Sequence, residues 1–235
     1  MKGSRIAAAG VVFILSHATG CGGPYSTLDP AGPSASSAAA LWWGMFAFFT
    51  LVMLFVIGLW LYAMYRDPGS PGEQETRRLN TRLIVGGGLA LPLVSIVVLL
   101  AFGIPAGHKM LPWPPEEGPA VRIDVRGHQW WWETSYPGTG IRLVDEVHMP
   151  AGVPVDVHLS SSDVIHSFWV PRLAGKLDAI PGHENVLRLL ADAPGIYRGQ
   201  CAEFCGLGHA HMQFTVHVHT PEDFEAWLEA AQQDD

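Results

Sequence analysis

Cysteine and charged residues are both scarce in this chain. Only three cysteines, Cys21, Cys201 and Cys205, occur among 235 residues, and so low and odd a number excludes a scaffold built on several disulfides. Charged residues make up 15% of the chain and hydrophobic residues 49%. This balance indicates either one large domain or a membrane protein with a soluble module.

Basic residues are few in the second half of the chain. Residues 1–110 contain seven Lys or Arg and four Asp or Glu, whereas residues 111–235 contain seven basic and eighteen acidic residues, which gives +3 and −11. An acidic surface repels nucleic acid and attracts basic proteins. The first expected partner is therefore a basic protein.

Two long runs contain no charge at all. Residues 41–65 and 83–104 carry no Asp, Glu, Lys or Arg, and a membrane-spanning helix needs roughly 20 apolar residues. Four arginines lie in residues 66–82, so the positive-inside rule predicts that this loop is cytoplasmic and that both flanking segments face outward. A buried helical hairpin in a soluble protein is the less favoured alternative.

The N-terminus is typical of an export signal. Lys2 and Arg5 precede an apolar run over residues 6–15, and small residues lead up to Cys21. The segment before Cys21 resembles a bacterial lipoprotein processing site, which makes Cys21 a candidate for lipidation. An uncleaved leader with an incidental cysteine stays open as the alternative.

The rest of the chain has the pattern of a β domain. Short strand-like runs alternate with Pro-Gly turns, which predicts an antiparallel sandwich or barrel closed by a C-terminal helix with Thr220 as its N-cap. The predicted strands are residues 121–126, 129–134, 141–148, 153–159, 185–191 and 212–219. The predicted organisation is a signal peptide (1–20), a linker (21–40), a transmembrane helix (41–65), a cytoplasmic loop (66–82), a second transmembrane helix (83–104), the β domain (116–220) and a C-terminal helix or tail (221–235).

Potential metal ligands concentrate in one segment near the C-terminus. Cys201, Cys205, His209 and Met212 fall within twelve residues. Thiolates, imidazole and thioether form the soft ligand set of copper electron-transfer sites, and two thiolates on one loop can bridge two copper ions. Zinc is the competing metal, but structural zinc sites favour shorter ligand spacings and do not use methionine. A small disulfide loop between the two cysteines is the simplest alternative.

A second imidazole must come from elsewhere in the chain, because His211 stands next to Met212. His166 is the candidate, since it follows an apolar strand-like run that would hold it firmly. Taken alone, a histidine beside Phe168 and Trp169 is more often a core residue.

Several motifs resemble subunit II of cytochrome c oxidase, a component of haem-copper oxidases. They are His166-Ser-Phe-Trp-Val-Pro, Gly175-Lys-Leu-Asp-Ala-Ile-Pro-Gly, Gly199-Gln-Cys-Ala-Glu-Phe-Cys and Gly206-Leu-Gly-His-Ala-His-Met. The resemblance covers nearly the whole chain and implies a two-helix transmembrane hairpin followed by a cupredoxin-like domain. It also implies a multi-pass protein of the bacterial plasma membrane with the copper domain on the periplasmic side.

The resemblance implies a binuclear copper centre, CuA, and its ligands. They are His166, Cys201, Cys205, His209, Met212 and the backbone carbonyl of Glu203. The Glu203 side chain matches a position that contributes to a magnesium site shared with subunit I.

An electron-entry role is implied for Trp130, in the motif Gly127-His-Gln-Trp-Trp-Trp. Asp163 matches an acidic docking position for cytochrome c, and charge alone adds Glu133, Asp145 and Glu146 to the expected docking surface. The implied partners are the haem-bearing subunit I, other oxidase subunits, cytochrome c and membrane lipid.

The sequence departs from the family pattern at three points, and the roles that the family assigns to those positions are not expected here in full. The second apolar run begins without a carboxylate, so proton entry by that route is not expected. His183 stands where a more basic residue is common, which weakens an expected contact with haem propionates. No Cys-x-x-Cys-His motif occurs, so the electron donor must be a separate protein.

The function expected from the sequence is that of an electron-transfer subunit, in which cytochrome c reduces the copper centre and oxygen reduction occurs in subunit I. Two alternatives are weighed against it. A quinol oxidase subunit II has the same fold without the copper ligands. A membrane-tethered copper chaperone or sensor of cupredoxin fold would more often use exchangeable, methionine-rich ligands.

Overall fold

The computed structural model describes residues 22–66, 69, 72–114 and 119–233. The predicted signal peptide and Cys21 lie outside these residues. By its internal contacts the chain divides into two units, one formed by residues 40–109 and the other by residues 110–235 together with the residues before 40.

The first unit is helical, and its two long helical segments are apolar. Its helices are α1 (Pro33–Tyr65), which begins in the other unit, α2 (Glu73–Arg82) and α3 (Leu91–Lys109), with a π-helical segment, Leu83–Ala90, between the last two. Gly86, Gly87 and Gly88 lie in that segment, where weak helix propensity favours such an irregularity. Pro33–Tyr65 and Gln74–Lys109 are both long and apolar enough to cross a membrane, in agreement with the predicted hairpin.

The second unit is a β domain of two five-stranded sheets. Its strands are β1 (Val121–His128), β2 (Trp131–Ser135), β3 (Arg142–Val144), β4 (Glu146–Pro150), β5 (Val155–Ser161), β6 (His166–Trp169), β7 (Leu177–Ala179), β8 (Asn185–Leu189), β9 (Gly195–Cys201) and β10 (Gln213–His219). One sheet has the order β3-β2-β1-β5-β8 and the other β4-β10-β9-β6-β7.

The predicted antiparallel arrangement is wrong in one respect in each sheet. The β1–β5 and β4–β10 pairs are parallel. A parallel pair needs a long crossover connection, and these partners are far apart in the sequence. Alternation of side chains does not reveal such pairings, because it is the same in both kinds of sheet.

The core of the β domain is aromatic next to the predicted copper ligands. Trp132 is fully buried, and its ring lies edge-on against Phe168, with 5.4 Å between the ring centroids. Phe168 stacks on Phe214 at 4.3 Å. These rings come from β2, β6 and β10, so they join the two sheets and fix the strands that carry the site.

The segment predicted as a linker is partly ordered against the β domain. Helix α1 begins at Pro33, eight residues before the predicted transmembrane segment at 41. The amide of Ala31 donates to the carbonyl of Arg172 at 2.7 Å, and the Arg172 guanidinium lies 2.9 Å from the Asp29 carboxylate. Residues 29–39 therefore belong to the folded domain, which their Gly, Pro and Ser content did not indicate.

The C-terminal helix α4 (Pro221–Ala231) forms as predicted. The Thr220 side chain accepts a hydrogen bond from the amide of Asp223 at 3.1 Å, so Thr220 is its N-cap. Phe224 of this helix is buried, and Trp227 packs against Tyr136 and His148 of the β domain.

Candidate metal centre

The predicted ligands lie where three strands of one sheet end. His166 is the first residue of β6, Cys201 is the last residue of β9, and Met212 directly precedes β10. The amide of Cys201 donates to the carbonyl of Met212 at 2.9 Å, and the amide of Ala202 donates to the carbonyl of Ser167, also at 2.9 Å. The sheet therefore holds both ends of the loop 202–211 and sets that loop against His166.

The side chains of these residues converge in a buried cluster. The Sγ atoms of Cys201 and Cys205 are 3.8 Å apart, and Cys201 Sγ is 3.9 Å from Nδ1 of His166. Cys205 Sγ lies 3.6 Å from Nδ1 of His209 and 3.7 Å from Sδ of Met212. We call these five residues the sulfur cluster. His166, Cys201, Cys205 and Met212 are each at most 5% exposed.

The backbone carbonyl of Glu203 completes the set of donors. It lies 3.2 Å from Cys201 Sγ. The Glu203 side chain points elsewhere, about half exposed, with its carboxylate 3.9 Å from Nζ of Lys176. The carbonyl and the carboxylate of this residue can thus serve two different contacts.

The two cysteines are free thiols in this arrangement. A disulfide would bring the sulfur atoms to about 2.05 Å, which the observed 3.8 Å excludes. The small disulfide loop considered from the sequence is therefore wrong. A gap of this size between the sulfur atoms leaves space for ions that both of them contact.

The electrostatics of the two thiols differ strongly. Burial raises the pKa of Cys201, but hydrogen bonds with His166 and with the backbone at Glu203 and Ser167 outweigh it and lower that pKa to about 6. Burial and the neighbouring charge of Cys201 raise the pKa of Cys205 to about 12. Both sulfur atoms can carry charge together only when a cation offsets their repulsion, which is how metal binding releases protons.

His166 is oriented by Asp163. Nε2 of His166 lies 2.8 Å from Oδ1 of Asp163, which leaves Nδ1 directed at Cys201. Burial lowers the pKa of His166, but its bonds with Cys201 and Asp163 outweigh that effect and raise it. Burial likewise raises the pKa of Asp163, and the bonds from His166, Val164 and Gln129 outweigh it and lower it. A carboxylate behind a ligating imidazole is a common arrangement in metal sites.

Gly127 of β1 makes room for the His166 ring. A Cβ atom at this position would lie 2.7 Å from Cδ2 and 3.1 Å from Cγ of that ring. Only glycine therefore allows the strand to pass so close to the imidazole. Gly127 belongs to the Gly-His-Gln-Trp-Trp-Trp motif, and the sequence alone does not indicate this role.

Trp130 lies against the loop that carries the cysteines. Its side chain is 38% exposed, and Nε1 donates to the carbonyl of Cys205 at 3.2 Å. Nε2 of Gln129 donates to the same carbonyl at 2.7 Å. Gly208 packs under the indole, where a Cβ atom would clash with the ring. Gln129 stands in the same motif as Trp130, but the sequence alone does not indicate its contact with this loop.

The four acidic residues expected to dock a partner have separate surroundings. Asp163 is bonded to His166, and Glu133 contacts both His128 and Arg142. Asp145 accepts a hydrogen bond from the amide of Trp132 at 2.8 Å. Glu146 lies beside His148. These contacts within the domain partly neutralise or engage the four carboxylates. Docking by these residues stays a prediction.

The donor atoms of the sulfur cluster fit copper better than zinc. Two thiols, two imidazoles and a thioether form a soft set of the kind that copper electron-transfer sites use. Structural zinc sites are closed by four Cys or His ligands and have no use for a buried methionine. Met212 is 1% exposed with its sulfur directed at Cys205, so it is placed where it could serve as a copper ligand.

Comparison with known proteins finds relatives among the second subunits of respiratory oxidases. A model of the cytochrome c oxidase subunit II periplasmic domain family matches residues 139–219. Cytochrome c oxidase subunit 2 of Alkalihalophilus pseudofirmus is 33% identical over 229 residues, which are 92% of this chain but only 66% of that longer protein. Quinol oxidase subunit 2 of Bacillus cereus strain ATCC 10987 is 31% identical over 229 residues, covering 94% of this chain and 77% of that protein.

Among solved structures, the periplasmic domain of subunit II of cytochrome oxidase from Bradyrhizobium japonicum has 31% sequence identity and a TM-score of 0.46. The match covers 48% of this chain and 94% of that chain. The match to the quinol oxidase subunit extends over nearly the whole of this chain and most of that protein. The chain therefore belongs to the oxidase subunit II family, which includes cytochrome c oxidase subunit 2 and quinol oxidase subunit 2.

Proposed function

We propose that this chain is the electron-accepting subunit II of a respiratory haem-copper oxidase. The observation that carries the proposal is the sulfur cluster, in which two free thiols 3.8 Å apart are flanked by two imidazoles and a thioether. Together with the carbonyl of Glu203, these residues would hold two copper ions. When bound, the copper pair supplies a one-electron acceptor whose ligand geometry suits both oxidation states.

The protein around the cluster keeps the ligands fixed and dry. Burial of His166, Cys201 and Met212 excludes water from the donors, and the sheet holds Cys201 and Met212 through a backbone hydrogen bond of 2.9 Å. Asp163 keeps the His166 ring in one orientation. Ligands that cannot move when an electron arrives keep the reorganisation small, which favours fast transfer.

We propose that electrons enter through Trp130. Its partly exposed indole can face a donor, and its Nε1 is one hydrogen bond away from the carbonyl of the ligand Cys205. The donor is cytochrome c, a basic partner for the acidic half of the chain. Asp163, Glu133, Asp145 and Glu146 are the proposed docking residues, acting mainly on the rate of association.

The copper domain lies on the outer side of the membrane in this proposal, anchored by the two apolar helices. Subunit I is the proposed acceptor of the electrons and carries out oxygen reduction. The exposed carboxylate of Glu203 is available to a magnesium ion shared with that subunit. Its present neighbour Lys176 is 3.9 Å away, too far for a close ion pair.

Two other functions are distinguishable from this one. Quinol oxidase subunit 2 of Bacillus cereus resembles the chain over most of its length, but a quinol-oxidising enzyme has no need of the buried sulfur cluster. A copper chaperone needs ligands that release the ion easily, whereas these donors are buried and fixed by the sheet.

Copper content tests the proposal directly. The full-length chain, purified in detergent, loaded with copper and washed with EDTA, should retain two copper ions per chain and show the near-infrared absorption of a mixed-valence pair. His166→Asn should lose this absorption. The matched control is His158→Asn, which removes a β-sheet histidine that bonds to Glu184 instead. One copper per chain, or stoichiometric zinc, would contradict the proposal.

Electron entry is tested separately by Trp130→Phe. We expect reduction by cytochrome c to slow by about tenfold, a barrier increase of about 1.4 kcal/mol, with the copper content unchanged. Trp131→Phe is the control, because Trp131 stacks on His128 instead. Equal rates for the two variants would remove Trp130 from the proposed path.

A further inference from the structure

A second group of histidines lies on the outer side of the β4–β10 pair. His148 of β4 stands directly opposite His217 of β10, and Glu146 and His219 lie two residues away on the same side of their strands. We call Glu146, His148, His217 and His219 the histidine face. The alternate residues Val147, Met149, Val216 and Val218 point the other way and are buried in the core.

The side chains of this face converge as metal ligands do. One ligand atom each from Glu146, His148 and His217 can be chosen so that all three lie within 4.8 Å of one another. Nε2 of His148 is 3.8 Å from the Glu146 carboxylate. The rings of His148 and His217 are nearly parallel, with centroids 4.6 Å apart.

His219 determines which nitrogen of His148 faces the site. Nδ1 of His148 lies 2.8 Å from Nε2 of His219, and the two rings are within 14° of parallel. Because Nδ1 is engaged in this bond, Nε2 is the atom left for a metal. A ligating histidine whose other nitrogen is held by a hydrogen bond is the usual arrangement in metal sites.

The position of His148 is fixed further by its surroundings. The indole of Trp227 stacks on its ring at 4.1 Å, and its side chain is only 12% exposed. The Tyr136 hydroxyl accepts from the amide of His148 at 2.6 Å and donates to its carbonyl at 2.8 Å. A ligand held on all these sides loses little entropy when a metal binds.

The charge of the face also suits a cation. Burial, together with His217 and His219, lowers the pKa of His148 to about 4, so this imidazole is neutral and keeps its lone pair at neutral pH. Glu146 supplies a negative charge and is about half exposed, so it can rotate towards the rings. Arg198 of the neighbouring strand β9 is hydrogen-bonded to Thr215.

We propose that Glu146, His148 and His217 bind one divalent transition-metal ion of the zinc class, with His219 as a positioning residue. Imidazole and carboxylate ligands suit zinc, and three protein ligands leave a fourth position open to water. The ligand atoms need to approach one another to about 3.4 Å in a tetrahedral zinc site. The exposed Glu146 side chain can supply its own part of that movement, and the half-buried His217 ring must supply the rest, because His148 is held in place.

Zinc titration calorimetry on the full-length chain in detergent tests this site. The chain is first loaded with copper and washed with EDTA, so that copper stays only in the sulfur cluster, and it is freed of EDTA before it is titrated with Zn²⁺. We expect one zinc ion per chain, bound about tenfold or more weakly after His217→Gln, and similarly weakened after His219→Gln, because partners that orient a ligand typically contribute 10- to 100-fold to metal affinity.

Two further variants keep the result interpretable. Glu146→Gln changes an exposed side chain and cannot unfold the domain by leaving a cavity, and it should also weaken zinc binding. His158→Gln is the matched control, since His158 likewise bonds to a glutamate on a sheet surface. Absence of zinc binding, or equal affinity in the His217 and His158 variants, would overturn the proposal. The copper content measured on the same samples shows separately whether the sulfur cluster is intact.

Discussion

The sulfur cluster and the histidine face belong to the same five-stranded sheet, yet their donors differ. Strand β10 connects them, because Met212 directly precedes it and His217 and His219 lie on it. The sulfur cluster combines thiols and a thioether with imidazoles and is buried. The histidine face has a carboxylate in place of sulfur and is open to solvent at Glu146. Imidazoles are common to both, so the accompanying donors and their burial decide which metal each can hold and how readily it exchanges.

The largest expected effect comes from removing one sulfur atom. Cys205→Ser should reduce the copper content of the EDTA-washed chain from two ions to less than one, because Cys205 contacts Cys201, His209 and Met212. Zinc binding at the histidine face should be unchanged. Met149→Leu serves as the control, because it removes a buried sulfur atom that lies outside the sulfur cluster. Retention of two copper ions by Cys205→Ser would show that this thiol is not a ligand.

A smaller change disturbs the sulfur cluster without removing any ligand. Gly127→Ala places a Cβ atom 2.7 Å from the His166 ring, so we expect a loss of copper affinity of about a hundredfold and a stability cost of about 1–3 kcal/mol from overpacking. Competition with a chelator measures the first and chemical unfolding the second. Gly175→Ala is the matched control, because no atom lies within 4 Å of a Cβ atom there. Identical copper affinities in the two variants would exclude the crowding argument.

Asp163 in the sulfur cluster and His219 in the histidine face are expected to play corresponding roles. Each lies 2.8 Å from the ring nitrogen of a proposed histidine ligand that does not face the metal. Asp163→Asn should weaken copper binding by about tenfold and leave zinc binding unchanged, as a chelator competition would show. Asp178→Asn is the control, because among the described residues the ionic partner of Asp178 is Lys176, at a distance of 3.9 Å. An unchanged copper affinity would mean that the hydrogen bond does not position His166.

The smallest effect on copper is expected at Tyr136. Tyr136→Phe removes the hydroxyl that both donates to and accepts from the backbone of His148, which should lower the free energy of unfolding by about 1–3 kcal/mol. Copper content should not change. Tyr197→Phe should cost less, because that hydroxyl makes a single bond, to the carbonyl of Ala193. Loss of copper in Tyr136→Phe would show that the two clusters are coupled through the sheet.

The sulfur cluster was predictable from the sequence because four of its five side chains belong to one short segment of the chain. Cys201, Cys205, His209 and Met212 stand within twelve residues, so no long-range pairing was needed to bring them together. His166 was chosen from its place at the end of an apolar strand-like run and from its motif, because it stands 35 residues before Cys201. Its contact with Cys201 depends on the pairing of β6 with β9. Neither strand shows the alternation of apolar and polar residues by which a strand is recognised in a sequence.

The histidine face was not predicted, because it depends on a parallel pair. The alternation of His217 and His219 places them on one side of β10, but only the pairing with β4 brings His148 alongside. The predicted single strand 141–148 is wrong, because it is interrupted at Asp145, which has a φ of 56°. Strand β3 ends just before Asp145, and β4 begins just after it. A left-handed residue that is not glycine is rare, and nothing in the local sequence indicates it.

Electron paramagnetic resonance of the copper-loaded, full-length chain tests the central claim most directly. If the sulfur atoms of Cys201 and Cys205 hold two copper ions together, an unpaired electron is shared between them, and the hyperfine splitting should arise equally from both copper nuclei. Splitting from a single copper nucleus, or no signal from a chain filled with zinc, would contradict the account.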